Sequence, residues 1–180
     1  MANIGIFFGT DTGRTRRIAK SIAKKLGDAA AAPVNVNKAT ADEFLAYDAL
    51  IIGTPTLGDG ELPGLDCGAQ AASWAEFLPQ LDGADMSGKV VAIFGLGDQE
   101  KYGNEFCDAM ADLYDCVTTC GANVIGTWPT AGYRFKSSQA VIDGSFVGLA
   151  LDHDNQPTLT EERVDAWLAE ITPALTDAAG

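Results

Sequence analysis

The sequence predicts a doubly wound α/β domain with a parallel sheet and helices on both faces. Short apolar runs alternate with amphipathic helical patterns along the whole chain, as expected of βαβ units. Several runs, such as Leu50-Ile51-Ile52, are continuously apolar, which is typical of strands buried on both faces of a parallel sheet. At 180 residues and 47% hydrophobic composition, the chain suits a single domain spanning residues 1–180.

The elements follow in a regular order. The apolar runs predict strands at 3–8, 33–37, 49–53, 89–95, 123–128 and 146–151. Helical spacing predicts four buried stripes: Ile18, Ile22 and Leu26; Trp74, Phe77, Leu78 and Leu81; Phe106, Met110, Leu113 and Val117; and Val164, Trp167, Leu168 and Ile171. Thr158 and Glu161 are spaced as a capping box for the last helix. Residues 129–145, hereafter the insertion, interrupt two strand-like pieces, and a loop of this length is often functional.

The charge is strongly negative and unevenly placed. The net charge is −13, yet residues 1–38 carry seven Lys or Arg against two Asp or Glu, whereas residues 39–115 carry two against fifteen. Such a surface disfavours nucleic acid and anionic lipid and favours a basic protein partner. No apolar stretch is long enough to span a bilayer, and no signal peptide is recognisable. We therefore expect a cytoplasmic monomer.

Zinc and nucleophilic catalysis find little support in the sequence. The four cysteines, Cys67, Cys107, Cys116 and Cys120, show no CxxC spacing, and His153 is the only histidine. Cys116 and Cys120 are helical neighbours that we interpret as buried, reduced thiols. No metal site is predicted.

Three loops should meet where the parallel strands end, which is where ligands bind in such sheets. The first loop (residues 9–15) contains Thr10, Asp11, Thr12, Gly13, Arg14 and Thr15. It joins a strand to a helix, so its hydroxyls and the helix N-terminus form an anion cradle. It has no lysine and therefore matches neither the Walker A motif nor the GxGxxG turn. On this loop alone, a capped turn without ligand is equally compatible.

The second loop (residues 54–64) reads TPTLGDGELPG, and the third loop (residues 96–108) begins LGDQEKYG. Both follow buried strands and are rich in glycine and acids. With the TDTGRT loop, the NVIGTWPTAGY segment and the VIDGSFVGLALDHDNQ segment, they make the chain resemble the long-chain flavodoxins over essentially its whole length. It is most similar to flavodoxins that donate electrons to nitrogenase in nitrogen-fixing bacteria.

The resemblance implies a five-stranded sheet of order 2-1-3-4-5, with the insertion in the fifth strand, and one non-covalent FMN that serves as a one-electron carrier in a protein that is not an enzyme. It assigns the phosphate to Thr10–Thr15, the inner flavin edge to the second loop and the outer ring face to Tyr102. Backbone groups near Asp98, Glu105 and Cys107 would meet the pyrimidine end of the ring, and Asp154 would lie near the ribityl chain. The implied FMN contacts outside the first loop are Thr54, Pro55, Thr56, Leu57, Gly58, Asp59, Gly60, Leu96, Gly97, Asp98, Tyr102, Glu105, Phe106, Cys107 and Asp154.

Two details of the second loop concern the redox chemistry. Many long-chain flavodoxins have a tryptophan on the inner flavin face, whereas this chain has Leu57, which packs without stacking. The resemblance also implies that the Gly58–Asp59 peptide turns its carbonyl toward the flavin when one electron is added, which glycine permits.

Electrostatics independently favours a strong reductant. Acidic loops oppose the charge of a reduced flavin, and Lys101, the one lysine of the third loop, is expected to point to solvent. The expected partners are basic redox proteins. Nitrogenase reductase is expected from the resemblance, and a flavodoxin-NADP reductase or another reductase system is the alternative.

Three other classes of protein fit the sequence less well. A phospho-acceptor receiver domain would need an aspartate ending the third strand, where Gly53-Thr54 stand instead, and a lysine ending the fifth. A flavin enzyme that takes hydride from a nicotinamide would need a second nucleotide site. A binding domain without cofactor would be colourless when pure.

Overall fold

The computed structural model describes residues 3–10 and 12–180, and the chain forms the predicted α/β sandwich. The strands and helices alternate along the chain in the order β1 Ile4–Phe8, α1 Arg14–Leu26, β2 Val34–Asn35, α2 Ala41–Leu45, β3 Ala49–Pro55, α3 Trp74–Phe77, β4 Val90–Leu96, α4 Ala109–Thr119, β5 Asn123–Ile125, β6 Trp128–Pro129, β7 Val141–Ile142, β8 Ser145–Phe146, β9 Leu149–Leu151 and α5 Thr160–Ala179.

The main sheet is parallel and has the order β2-β1-β3-β4-β5, which confirms the predicted fold class. Residues of β3 alternate between its two faces because successive side chains of a strand point to opposite sides. Leu50 and Ile52 pack with α3 and α4, whereas Ala49 and Ile51 pack with α1 and α5. These four residues are fully buried, so the continuous apolar run serves two cores.

The fifth strand position is shared by two segments. Val90–Ala92 of β4 pair with β5, and Phe94–Leu96 of the same strand pair with β9. Gly148 lies opposite Ile93 between the two, and a Cβ at Gly148 would lie 2.0 Å from the Ile93 carbonyl oxygen. The insertion between the two segments forms a small antiparallel sheet of order β6-β8-β7. The predicted strands at 123–128 and 146–151 are therefore each divided between the two sheets.

Two local expectations need correction, and one helix was not predicted. Thr158 and Glu161 do not cap α5, because residues 157–159 form a 3₁₀ turn that leads directly into the helix, and the Glu161 carboxylate accepts a hydrogen bond from Lys25 Nζ at 3.0 Å. Phe106 precedes α4, which begins at Ala109. The short helix α2 was not predicted; its Thr40–Glu43 capping box starts it, and Phe44 is its buried residue.

No helix within residues 3–10 and 12–180 has the length and apolar composition that a bilayer crossing requires. The longest, α5, carries Glu161 and Glu162 in its first turn and packs its apolar stripe on the main sheet.

A cleft between three loops

The three loops meet at the carboxyl ends of β1, β3 and β4, which are neighbours in the sheet. Together with the segment after β9 they enclose a cleft of about 270 Å³. Its lining combines hydroxyls, charges and one exposed aromatic ring: Thr12, Arg14, Thr15, Pro55, Thr56, Leu57, Leu96, Gly97, Asp98, Lys101, Tyr102, His153 and Asp154.

The first loop presents the N-terminus of α1 to this cleft. Gly13 has φ +92 and precedes the helix, and its N–H donates to Thr10 Oγ1 at 2.9 Å. Thr15 is buried in the first turn, which contains no acidic residue. No acidic residue of this turn therefore offsets the partial positive charge of the helix end, and an anion bound there would be stabilised.

Arg14 bridges the first loop and the segment after β9. Its Nη1 lies 2.6 Å from Asp154 Oδ1, and both side chains are about four-tenths exposed. Solvent-exposed ion pairs of this kind contribute roughly 0–1 kcal/mol. The carboxylate of Asp154 thus lies at the mouth of the cleft, beside the first loop.

The second loop folds back on itself in a tight turn. Leu57 and Glu61 exchange two backbone hydrogen bonds of 2.9 and 2.8 Å, and the Gly60 N–H donates to the Leu57 carbonyl at 3.1 Å. Gly58 has φ +47, and its ideal Cβ would have only Glu61 Oε2 within 4 Å, at 3.9 Å. Gly60 has φ +95, and a Cβ there would come within 2.9 Å of Asp108 Oδ2. Conformation requires glycine at Gly58, and both conformation and space require it at Gly60.

The third loop is organised around two aspartates. Asp98 Oδ1 accepts hydrogen bonds from the N–H groups of Glu100 and Lys101 and from Asn155 Nδ2. Desolvation by burial raises the pKa of Asp98, but these hydrogen bonds outweigh it, so the pKa is lowered overall. Asp152, which is 1% exposed, accepts from the Gln99 N–H at 3.0 Å and from both the backbone and the side chain of Asn155.

Tyr102 is the exposed aromatic ring of the cleft, with 37% of its surface accessible. Lys101 does not simply point to solvent as expected: its Nζ lies 5.4 Å from the centroid of the Tyr102 ring, and the residue lines the cleft. The ammonium group of Lys101 therefore lies over the Tyr102 ring as in a cation–π contact.

The predicted site residues fall into three groups. Eleven line the cleft, namely Thr12, Arg14, Thr15, Pro55, Thr56, Leu57, Leu96, Gly97, Asp98, Tyr102 and Asp154. Nine others do not line it: Thr10 and Gly13 shape the first loop, Thr54 is buried in β3, Gly58, Asp59 and Gly60 form the tip of the second loop, and Glu105, Phe106 and Cys107 lie in the third loop. Asp11 lies outside the described residues.

Phe106 and Cys107 belong to the core rather than to the cleft surface. Both side chains are fully buried, and Cys107 packs beside Gly97 in a positive-φ conformation. Desolvation and the nearby carboxylates of Asp152 and Asp108 raise the pKa of the Cys107 thiol well above its usual value. This thiol is therefore protonated at neutral pH.

Sequence reasoning missed four residues of the site: Lys101 and His153, which line the cleft, and Asp152 and Asn155, which hold the third loop. The only signal was the polar stretch that follows β9, in which Asp152 and Asn155 are three residues apart. Their partners lie more than 50 residues away in sequence, so local patterns could not reveal the contact.

Within the described part of the chain, no cluster of three or more His, Cys, Asp or Glu residues is arranged to hold a metal ion. Cys116, in the last turn of α4, and Cys120, just after its end, are half-buried neighbours rather than fully buried thiols, and burial raises the pKa of Cys116 to about 11. The pair is thus a protonated dithiol at neutral pH.

Comparisons with known proteins agree with this geometry. The flavodoxin family profile matches residues 6–167. The chain is 56% identical over 171 residues to a flavodoxin of Klebsiella pneumoniae, covering 95% of this chain and 97% of that protein, and 46% identical over 176 residues to flavodoxin 1 of Escherichia coli strain K12, covering 97% and 96%. Among solved structures, Fusobacterium nucleatum flavodoxin bound to flavin mononucleotide superimposes with a TM-score of 0.87 at 35% identity, covering 97% of this chain and 99% of that chain.

Proposed function

This chain belongs to the flavodoxin family of electron-transfer proteins, and we propose that it holds FMN in the cleft between its three loops and passes single electrons to nitrogenase reductase. It is an electron carrier rather than an enzyme. The observation that carries the proposal is the meeting, in one cleft, of an anion-binding helix end with Leu57 and the exposed ring of Tyr102.

The residues of the cleft fit the parts of FMN. The α1 N-terminus with Thr12 and Thr15 would hold the phosphate, because backbone N–H groups and hydroxyls donate to it while the helix end supplies positive charge. Leu57 and Tyr102 offer apolar and aromatic surfaces to the ring. Gly97 lines the cleft and packs against Cys107 and Phe106, where a Cβ would lie 3.0 Å from both, and the neighbouring Asp98 is held by Asn155.

When bound, FMN would supply the one-electron redox chemistry. The chain's own contribution is to set the electrostatic environment. At about 10 Å, each exposed carboxylate opposes an added negative charge by roughly 0.4 kcal/mol in water before salt screening. Asp59 and Glu61 in the second loop and Glu100 in the third are exposed acids that act in this direction. They would make the reduced cofactor a stronger reductant.

The proposed acceptor follows from charge and from likeness. The net charge of −13 is concentrated in residues 39–115, which include the second and third loops, so a basic docking surface is favoured. Nitrogenase reductase is chosen because the sequence is similar to flavodoxins that donate electrons to nitrogenase. We place this reaction in the cytoplasm, with the carrier acting as a monomer.

Anaerobic stepwise reduction with visible spectroscopy tests the cofactor assignment. The purified protein should be yellow, or become so with added FMN, and should take up electrons in two resolved one-electron steps. A single two-electron bleach would point to a hydride-accepting flavin enzyme instead. A colourless protein that cannot be reconstituted with FMN would refute the cofactor assignment.

Transfer kinetics test the acceptor. The rate from the reduced carrier to nitrogenase reductase should fall with rising salt and with Asp59→Lys and Glu100→Lys substitutions. Asp177→Lys, at the distant end of α5, changes the net charge equally and should leave the rate nearly unaltered. A salt-independent rate, or efficient transfer only with a flavodoxin reductase, would contradict the acceptor proposed.

A further inference from the structure

The insertion is bonded to the third loop along the length of both segments. Seven hydrogen bonds join residues 99–108 to residues 134–139. The Gly103 carbonyl accepts from the N–H groups of Lys136 at 2.7 Å and Ser137 at 2.9 Å. Ser137 Oγ also donates to the Asn104 carbonyl at 2.7 Å.

The same pairing continues toward α4. The Phe106 N–H donates to the Ser137 carbonyl, and the Phe106 carbonyl accepts from Ser138 Oγ. Asp108 Oδ1 then accepts from the Gln139 N–H at 2.8 Å. At the other end of the loop, the Arg134 N–H donates to Gln99 Oε1. The backbone of the third loop thus finds many of its partners in the insertion.

Aromatic packing adds to these bonds. The rings of Phe106 and Phe135 are stacked with centroids 5.4 Å apart, and Phe146 contacts both. Phe106 is fully buried in this cluster, only four residues from the exposed ring of Tyr102. A displacement of Phe106 would therefore alter the position of Tyr102 at the cleft.

The insertion is itself firmly attached to the main sheet. Tyr133 Oη donates to the Ala150 carbonyl of β9 at 2.6 Å and accepts from Trp128 Nε1 at 2.9 Å. The buried guanidinium of Arg163, from α5, covers the Tyr133 ring at 4.1 Å. The insertion is therefore held in place by the main sheet and can in turn restrict the movement of the third loop.

We propose that the insertion is a positioning element, which fixes the third loop and so holds Tyr102 at the cleft in the shape that FMN requires. The inference rests on the proposed FMN site and deepens it. A loop without regular structure loses conformational entropy when it is ordered. Here the insertion orders the third loop when the protein folds. FMN then binds a preformed surface, so its binding free energy is not reduced by the entropy lost in ordering the loop.

The test removes hydroxyl donors of the insertion without touching the cleft. In the Ser137→Ala/Ser138→Ala variant, amides of residues 99–108 should exchange with deuterium at least 10-fold faster in the FMN-free protein, while amides of β1 and β3 keep their protection. FMN should dissociate several-fold faster from the same variant. Ser145→Ala, on β8 of the same insertion, is the matched control and should change neither quantity.

Hydrogen exchange is measured without FMN, so it decides the role of the insertion even if the cofactor assignment fails. Unchanged exchange in residues 99–108, or unchanged FMN dissociation with a slower transfer to the acceptor, would overturn the proposal. If the double variant loses protection in β1 and β3 as well, the single Ser137→Ala variant decides in its place, because it removes only the exposed bond to the Asn104 carbonyl.

Discussion

Replacing Asp152 with alanine should lower the free energy of unfolding by about 2–4 kcal/mol and loosen the third loop. The carboxylate is 1% exposed and accepts three hydrogen bonds, one from the Gln99 N–H and two from Asn155. Through Asn155 Nδ2, which also donates to Asp98 Oδ1 at 2.8 Å, it links the end of β9 to the cleft.

The size of this destabilisation follows from the hydrogen-bond donors that Asp152→Ala leaves without an acceptor. Gln99 is 4% exposed, so its N–H would lose its acceptor with little access to water, at a cost of about 1–3 kcal/mol. Asn155 is half-buried and keeps its bond to Asp98, so its loss is smaller, about 1 kcal/mol. Asp152→Asn retains one acceptor oxygen and should cost about half as much as Asp152→Ala.

Urea denaturation of the FMN-free protein measures this effect without the stabilisation that a ligand adds. Asp154→Ala is the control, because its exposed pair with Arg14 contributes at most about 1 kcal/mol. If Asp152→Ala and Asp154→Ala have equal and small effects, the buried carboxylate does not organise the third loop and the reasoning is wrong.

Other predictions concern the second loop and the pH dependence of stability. Gly60→Ala should destabilise the protein more than Gly83→Ala, since both have positive φ but only Gly60 would bring a Cβ within 2.9 Å of Asp108; urea denaturation of the two variants measures the difference. Gly58→Val should narrow the separation of the two one-electron potentials by about 80 mV, because losing a hydrogen bond of about 1 kcal/mol that forms only in the one-electron-reduced state moves each potential by about 40 mV in opposite directions. An unchanged separation in a redox titration would exclude that bond. Burial and Glu105 raise the pKa of Asp108 in the folded protein, so its contribution to stability falls as the pH rises through that pKa. Asp108→Asn should therefore flatten the decline in stability that begins near the ordinary pKa of an aspartate and ends at the raised pKa of Asp108. A pH dependence of stability identical to that of the parent protein would show that the pKa of Asp108 is not raised.

The parts of the fold that depend on local pattern were predictable. The buried runs of β1, β3 and β4 identified those strands to within two residues, because continuous apolar sequence is characteristic of a strand covered on both faces. The strand predicted at 33–37 is longer than β2, because the chain turns into a 3₁₀ helix immediately after Asn35. Helix α2 was missed because five residues with one buried side chain give no periodicity to detect.

The cleft was predictable only where its residues follow strands directly. The convergence of the three loops could be predicted because they leave neighbouring strands at the same edge of the sheet, whereas Leu57 and Tyr102 were assigned to the flavin by the resemblance to the flavodoxins. The supports of the third loop could not be placed in the same way. Asp152 and Ser137 act on it from more than 30 residues away, and only the closed fold brings them there.

The way β4 is paired has a consequence for how such proteins change over evolution. The chain leaves the sheet after Ile125, opposite Ala92, and returns at Gly148, opposite the very next residue of β4. Removing residues 126–147 would therefore join the two halves of the fifth strand without changing their residue pairing with β4. A segment inserted at this point can be gained, lost or lengthened while the strand order persists, but its loss would remove the partners of the third loop in residues 134–139. The break between β5 and β9 is therefore a position at which this α/β fold can accept an added segment.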